Sequence, residues 1–486
     1  MTDGAPRRRR AVVLVGGPAA PYSRAIRIAR ALAAEGFDVE IAAIAAPGLP
    51  EREPVAPARP GTVGEPAPAP SAVGKIAIRR YRPSGPWAIL GASEAATAAR
   101  GVGAGSGGDG EGGGGGGTTG PRRPGWRRGL RMIAAPILAM RRWLFWPHAV
   151  RGWWATLAKE LPPADLYHAC GALAIAPALA ARTRHPRGPF GAPARVIHDA
   201  VDHAAAGNEA QAMPVPFRRL IARREAGWAR AADAVVTVND ALVTSLTAGW
   251  RPRAPILAVP NNPEPPDPAI VEKPPEYLRR AAGLPDGTRI VLYQGRLGPG
   301  LGLAEAAEAV LLVPDAALVL LGFGRGLGES QARDRDPHFQ GRHVTLPPRP
   351  PDELLAWTAG ADVALIAAPP ISPNQRLSSA NKFWEAIAVG TPNIVVRGLD
   401  TMAGIIAAYD LGAVAASPAP ADLAAAISTV LERVDREGGA WRRRIAAVGR
   451  DRFSWPPVAT AYRSLVRSLA PSDGPANDGG STSQSA

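Results

Sequence analysis

The sequence holds one cysteine, Cys170, in 486 residues. That excludes an intramolecular disulfide and any zinc or iron–sulfur site built on several thiolates. No uninterrupted apolar run approaches the ~20 residues a membrane-spanning helix needs. The basic residues 1–10 lead at once into a β-type run with no cleavage-site pattern, so no signal peptide is expected and a cytoplasmic location follows. Acid is in short supply: 42 Asp and Glu stand against 56 Lys and Arg, a formal net charge of +14. What is present in quantity is apolar. A hydrophobic content of 46% excludes a wholly disordered chain, and the length suggests two or three domains.

The excess charge is local. A basic tail, residues 1–10, carries +3 and residues 121–160 carry +8, so the rest of the chain is close to balanced. The second stretch also contains Trp126, Trp143, Trp146, Trp153 and Trp154, five of the twelve tryptophans. Arginine beside tryptophan suits a segment lying on an anionic membrane surface. The same composition also suits a solvated basic helix packed onto a domain through its tryptophans. Nucleic acid is not expected as a partner, because no RNA-recognition signature or zinc finger accompanies the charge. Upstream, residues 101–120 hold thirteen glycines and read as a flexible linker. Residues 46–74, with eight prolines, read as a loop. The polar end, 471–486, reads as a disordered tail.

Elsewhere strand and helix alternate. Residues 11–15 (AVVLV) read as a buried strand, Gly16, Gly17 and Pro18 as a loop, 22–35 as a helix and 37–45 as a strand, which is a βαβ unit. The alternation resumes at 165 and runs to a strand at 256–259, then breaks at Asn261, Asn262 and several prolines. A second series starts at Arg289, with strands at 290–294, 317–321, 343–346, 363–366 and 393–396. A last helix is expected at 457–469. The fold class is therefore α/β, with two Rossmann-like doubly wound domains, 11–270 and 271–452, facing a cleft, followed by a C-terminal helix within 453–470.

Residues 372–396 (SPNQRLSSANKFWEAIAVGTPNIVV) carry the clearest chemistry. Ser378 and Ser379 are N-cap candidates for a helix opening near Asn381. The first turn of such a helix offers free N–H groups and partial positive charge to a diphosphate, and Lys382 adds a full charge. Glu385, one turn later, suits the two hydroxyls of a ribose. Other candidates are weaker. His198, Asp199, Asp202 and His203 alternate across a strand end and do not converge as metal ligands. Gly322-Phe323-Gly324-Arg325 is an incomplete dinucleotide fingerprint, because position 327 is leucine.

This stretch resembles the donor domain of family-four glycosyltransferases, whose fold is GT-B. The resemblance rests on Asn374, Ser379, Asn381, Lys382, Phe383, Glu385, Ala386, Gly390 and Pro392, in a branch with a PNKLFEY-like motif. Tyr293 to Leu297, Glu225 to Asn239, Val259 to Asn262, Ala164 to His168 and Val196 to Asp202 extend it in register. The chain departs from the pattern at Leu377, where an upstream glutamate is common, and at Cys170-Gly171, where His-Asp is common. A lysine common shortly after the arginine matching Arg296 is also missing.

The resemblance implies a retaining transfer of a sugar from a nucleotide-sugar donor to a lipid-linked or cell-surface glycan acceptor, with no metal and no cofactor. It implies donor binding by Gly295, Arg296, Gly322, Ser379, Asn381, Lys382 and Glu385, and a catalytic role for His168. Gly16, Gly17, Arg24 and Asp199 would face the acceptor side of the cleft; two alternatives stand beside this, a structural Asp199 and a His168 satisfied within the core. With residues 121–160 on an anionic membrane, the protein would sit at the inner face of the cell membrane. Two alternatives stay open: a non-catalytic nucleotide-sugar-binding paralogue, and a sugar-nucleotide epimerase of the same fold.

Overall fold

The computed structural model describes residues 8–19, 23–46, 48–55, 74–84 and 151–470. The start of the basic tail, most of the proline-rich stretch, the glycine-rich linker, residues 121–150 and the 471–486 tail lie outside the described residues.

Among the described residues the first half builds an eight-stranded sheet. Its elements are β1 (Arg9–Val15), α1 (Ser23–Ala34), β2 (Phe37–Ile44), β3 (Arg52–Pro54), β4 (Ile76–Tyr81), α2 (Arg151–Glu160), β5 (Leu166–Cys170), α3 (Ala172–Arg184), β6 (Arg195–Ala200), α4 (Val215–Ala231), β7 (Ala234–Thr237), α5 (Asp240–Trp250) and β8 (Ile256–Ala258). The order is β3-β4-β2-β1-β5-β6-β7-β8, parallel except for β3 against β4. Strand β1 shows why its sequence reads as a continuous apolar run. Val12 and Leu14 enter one core with Trp153 and Tyr167, while Ala11, Val13 and Val15 enter the other with Ile28 and Leu32 of α1. A central parallel strand is covered on both faces, so both phases of its two-residue period are apolar.

The second half runs through β9 (Arg289–Arg296), α6 (Leu303–Leu311), β10 (Ala316–Phe323), α7 (Leu327–Asp334), β11 (His343–Leu346), α8 (Leu354–Ala359), β12 (Val363–Ile366), α9 (Pro373–Leu377), α10 (Asn381–Ala388), β13 (Asn393–Val396), α11 (Asp400–Tyr409), β14 (Gly412–Ala415), α12 (Pro420–Glu437), α13 (Gly439–Arg452) and α14 (Trp455–Leu469). Its six strands are all parallel, in the order β11-β10-β9-β12-β13-β14. Both sheets reverse winding direction beside their first strand, between β1 and β5 and between β9 and β12. Crevices at the carboxyl ends of strands open at such switch points. Helix α14 returns to the first sheet, where Trp455, Tyr462 and Val466 join the core beneath α1.

Two expectations need correction, and at residues 151–160 the packed-helix alternative is met. The strand of the basic tail begins at Arg9, whose guanidinium lies 4.2 Å over the Phe37 ring and donates to the Glu35 carbonyl at 2.6 Å. The proline-rich loop contains β3, which the buried Arg80 pins through Pro50 O at 2.7 Å and Glu53 Oε2 at 2.8 Å. Residues 151–160 of the basic, tryptophan-rich stretch form a packed helix. Trp153 is fully buried and donates to Ala43 O, and Trp154 donates to Leu173 O at 2.8 Å. The Trp153 indole is thus committed to the core, and Trp154 is half-buried with its N–H bonded. No helix among the described residues is long and apolar enough to cross one.

Candidate functional site

A cavity of about 720 Å³ lies where the two switch points face each other. Gly16, Gly17 and Pro18 enter it from the loop after β1, and Cys170 and Gly171 from the end of β5. Asp202, His203 and Asn208 come from the segment after β6, and Arg296, Asn374 and Gln375 from the second sheet. The Asn374 amide ties the halves together: its Oδ1 accepts from His203 N at 2.8 Å and its Nδ2 donates to Asp202 Oδ1 at 2.8 Å. A parallel tie runs from Asn239 Nδ2 to Leu377 O at 2.9 Å and Ser379 Oγ at 3.3 Å. Leu377 also packs against the first domain's core beside Ala200 and Trp250.

Behind the first wall sits a buried polar network. Arg24 makes two parallel 2.7 Å bonds to the Asp199 carboxylate and donates to Val259 O and Asn261 Oδ1. His168 Nε2 lies 3.1 Å from Asp199 Oδ2, and its Nδ1 lies 2.9 Å from the Tyr462 hydroxyl of α14. An ionised Asp199 only accepts, so Nε2 carries the hydrogen. Burial would raise the Asp199 carboxyl, but Arg24 and His168 outweigh it and hold it well below the usual carboxylate range. Burial and the Asp199 charge push the Cys170 thiol up, and burial pushes the Tyr462 hydroxyl up.

This geometry places Arg24 away from the acceptor side expected of it, and it agrees with the structural alternatives for His168 and Asp199. All three are buried and absent from the cavity lining. Both His168 nitrogens are already bonded, so the ring has no free position for a substrate. The donor atoms of His168, Cys170 and Asp199 lie within 4.8 Å of one another. A cation there would have to displace the Arg24 and Tyr462 bonds and ionise a thiol that its surroundings keep protonated. His198, by contrast, stacks on Trp250 at 5.5 Å with a buried, unbonded Nδ1, and burial lowers its pKa to about 4.

On the other side, the structure brings Gly295, Lys382 and Glu385 together. Glu385 accepts from Gln294 Nε2 at 2.6 Å, and Gln294 is held by Thr358 Oγ1 at 2.8 Å. The Lys382 ammonium lies 3.5 Å from the Tyr293 ring centroid. A Cβ on Gly295 would make only ordinary contact with it, at 3.7 Å, so what this position asks of its residue is the φ of +112° that glycine adopts readily. Burial lowers the Lys382 pKa to about 7, against the opposing pull of Glu385. Burial raises that of Glu385, opposed by Arg27 of α1, the Gln294 bond and Lys382. Arg296 is exposed on the cavity wall.

The capping residues differ from expectation. Helix α10 is preceded by Ala380 and has no side-chain cap. Ser379 is occupied by Asn239, and Ser378 donates to Gln375 O at 3.3 Å. Phe383 N donates to Ala380 O at 3.0 Å, so the N–H groups of Asn381 and Lys382 are the ones left for an acceptor outside the helix. Asn381 is half-buried at that end. Gly322 has a packing role: a Cβ there would meet Gly295 O at 2.2 Å. Asn381, Lys382 and Glu385 do not line the 720 Å³ cavity, which reaches the second sheet through Arg296 and residues 372–378. Sequence reasoning overlooked Asp202, His203 and Asn374 as cleft residues; their place after β6 and β12, at carboxyl strand ends, was the available signal.

No family model matches the chain. It is 28% identical over 201 residues to a D-inositol 3-phosphate glycosyltransferase of Corynebacterium aurimucosum, covering 39% of this chain and 45% of the relative. The chain thus spans about half the length of the curated relatives it matches. Among solved structures it is similar to sucrose-phosphate synthase from Thermosynechococcus elongatus, with a TM-score of 0.59 and 18% identity over 95% of this chain and 99% of that one. It is also similar to Anabaena HepE in complex with UDP and glucose, with a TM-score of 0.56 and 13% identity over 95% and 100%. The fold is GT-B: two Rossmann-like domains facing a cleft.

Proposed function

We propose that this protein is a glycosyltransferase that moves a sugar from a nucleotide-sugar donor to a lipid-linked or cell-surface glycan acceptor, with retention at the anomeric carbon. The reading rests most on Lys382 and Glu385 at the uncapped start of α10, beside the carboxyl edge of the second sheet. The start of α10, with Lys382 and Arg296, would hold the diphosphate, and Glu385 would hold the pentose. As the glycosidic bond to the diphosphate breaks, negative charge grows on the departing oxygens. Preorganised N–H groups and two cations stabilise that charge more than they stabilise the ground state. Gly17, with open space beside it, would let an acceptor approach the β1 end closely, while Gly16 makes room for Leu173, and Asp202 and His203 would line the acceptor side of the cavity.

Several finer features belong to the same proposal: family-four membership, work without a metal, a place in glycan synthesis, and residence at the inner face of the membrane. The similarity to a D-inositol 3-phosphate glycosyltransferase and to a UDP- and glucose-bound structure supports the donor class. A second reading, a nucleotide-sugar-binding subunit without turnover, is favoured by Cys170 and Gly171 lining the cavity where the resembled family commonly has His-Asp. The deciding experiment incubates the protein with radiolabelled nucleotide sugars, with and without membrane extract, and follows label into lipid and glycan fractions. Release or transfer of label supports the enzyme. Nucleotide binding with neither outcome supports the binding subunit.

A further inference from the structure

We infer that the outward face of α4 (Val215–Ala231) docks onto an anionic lipid bilayer. Ile221, Glu225, Ala226 and Ala229 turn inward. The opposite face, at three- and four-residue spacing, presents Pro216, Arg219, Leu220, Arg223, Arg224 and Gly227 to solvent. No acidic residue lies on it. Leu220 is 54% exposed and Val215, at the start of the helix, 45%. Guanidinium groups bind lipid phosphates bidentately, and their stems lie along apolar surface. Exposed leucine and valine between them have an acyl boundary to enter. An RNA or an acidic peptide would use the arginines and leave these two side chains in water, so the combination favours a bilayer.

The same helix fixes a wall of the cavity. On its inward face the Glu225 carboxylate accepts from Ala204 N at 2.8 Å and Ala205 N at 2.9 Å. These bonds hold the segment from which His203, Ala204 and Asn208 line the cleft. A bilayer on the outward face therefore lies about one helix diameter, roughly 10–12 Å, from that wall. This gives the membrane part of the proposed function a surface. It rests on that reading only for what the docking serves.

The test uses the full chain and vesicles of phosphatidylcholine with or without phosphatidylglycerol, read by co-sedimentation without nucleotide. Each arginine near an anionic surface contributes about a fivefold factor. The triple variant R219E/R223E/R224E is expected to lose more than about tenfold in partition to the anionic vesicles. Leu220→Asp is expected to lose several-fold, and both variants are expected to keep the wild-type melting temperature and nucleotide affinity. Wild-type partition by the triple variant overturns the inference. So does an unaffected Leu220→Asp beside a released triple variant, which would make the contact purely ionic and point to a polyanion such as single-stranded RNA. Loss of nucleotide binding in the wild-type protein would sink the donor reading and leave the vesicle result standing.

Discussion

Replacing Glu385 by glutamine tests the donor site at two levels. The carboxylate keeps one oxygen on Gln294 at 2.6 Å, leaving the other for a pentose hydroxyl. A hydrogen bond to a charged group contributes about 1.5–3 kcal/mol, so its loss predicts roughly tenfold to a hundredfold weaker nucleoside diphosphate binding. A second effect follows from Lys382, which burial brings to about 7 while Glu385 pulls the other way. Removing that carboxylate lowers the lysine further, so the variant holds less ammonium at pH 8 than the native protein does. The diphosphate binds the ammonium form. Native affinity should therefore fall as pH rises above 7, and affinity of the variant should begin to fall at lower pH. The ratio of the two dissociation constants should be larger at pH 8 than at pH 6. Titration calorimetry with a panel of nucleoside diphosphates across that interval measures both. A change below about twofold at every pH refutes the pentose contact. An equal loss at all pH values refutes the coupling to Lys382.

Arg24→Met leaves the buried Asp199 carboxylate without its charged partner, with only His168 and the Cys170 thiol beside it, and should cost about 3–5 kcal/mol, read as a lower urea midpoint at unchanged slope. Asp199 has a folded pKa below its unfolded value, so its contribution is full above about pH 4 and is lost as pH falls from there. Asp199→Asn should flatten that acid limb, and an unchanged limb would mean that the network is not charged. Gly322→Ala should cost about 1–3 kcal/mol or more, because its Cβ meets a backbone oxygen. Gly328→Ala is the control: it has open space in helix α7 and should stabilise by about 0.5–1 kcal/mol.

Much of the fold was legible because parallel strands buried on both faces are written as unbroken apolar runs. Strands 343–346, 363–366 and 393–396 fall where the pattern places them. The elements that escaped lack that signature. Strand β14 (Gly412–Ala415) is a short edge strand, with Val414 exposed. Strand β3 is three residues long and ends on a proline. Helices α12 and α13 abut at Gly438, and α13 is rich in arginine on its solvent side, so their period is hard to separate from surface charge.

The two halves of the candidate site differ in how far sequence spacing can place their residues, for a definite reason. Residues 381–385 gather on one turn of one helix, so their juxtaposition is local and sequence spacing is enough to find it. His168 and Asp199 gain their meaning from Tyr462 and Arg24, respectively 294 and 175 positions away in the chain. A histidine at a strand end looks the same in sequence whether it meets substrate or another side chain. What distinguishes this one is α14, which lays a tyrosine on its free nitrogen while Arg24 reaches both Asp199 and the crossing at Val259 and Asn261. The network therefore joins the first sheet, the connection to the second sheet, and the last helix at one buried point. A change there should act on the relative placement of the two halves, and so on the Asn374 and Asn239 ties, before it acts on chemistry. Tyr462→Phe removes only the hydroxyl at that point. It should alter turnover and nucleotide affinity together while the pH profile set by Lys382 keeps its shape, and a profile that shifts would return His168 to the reaction itself.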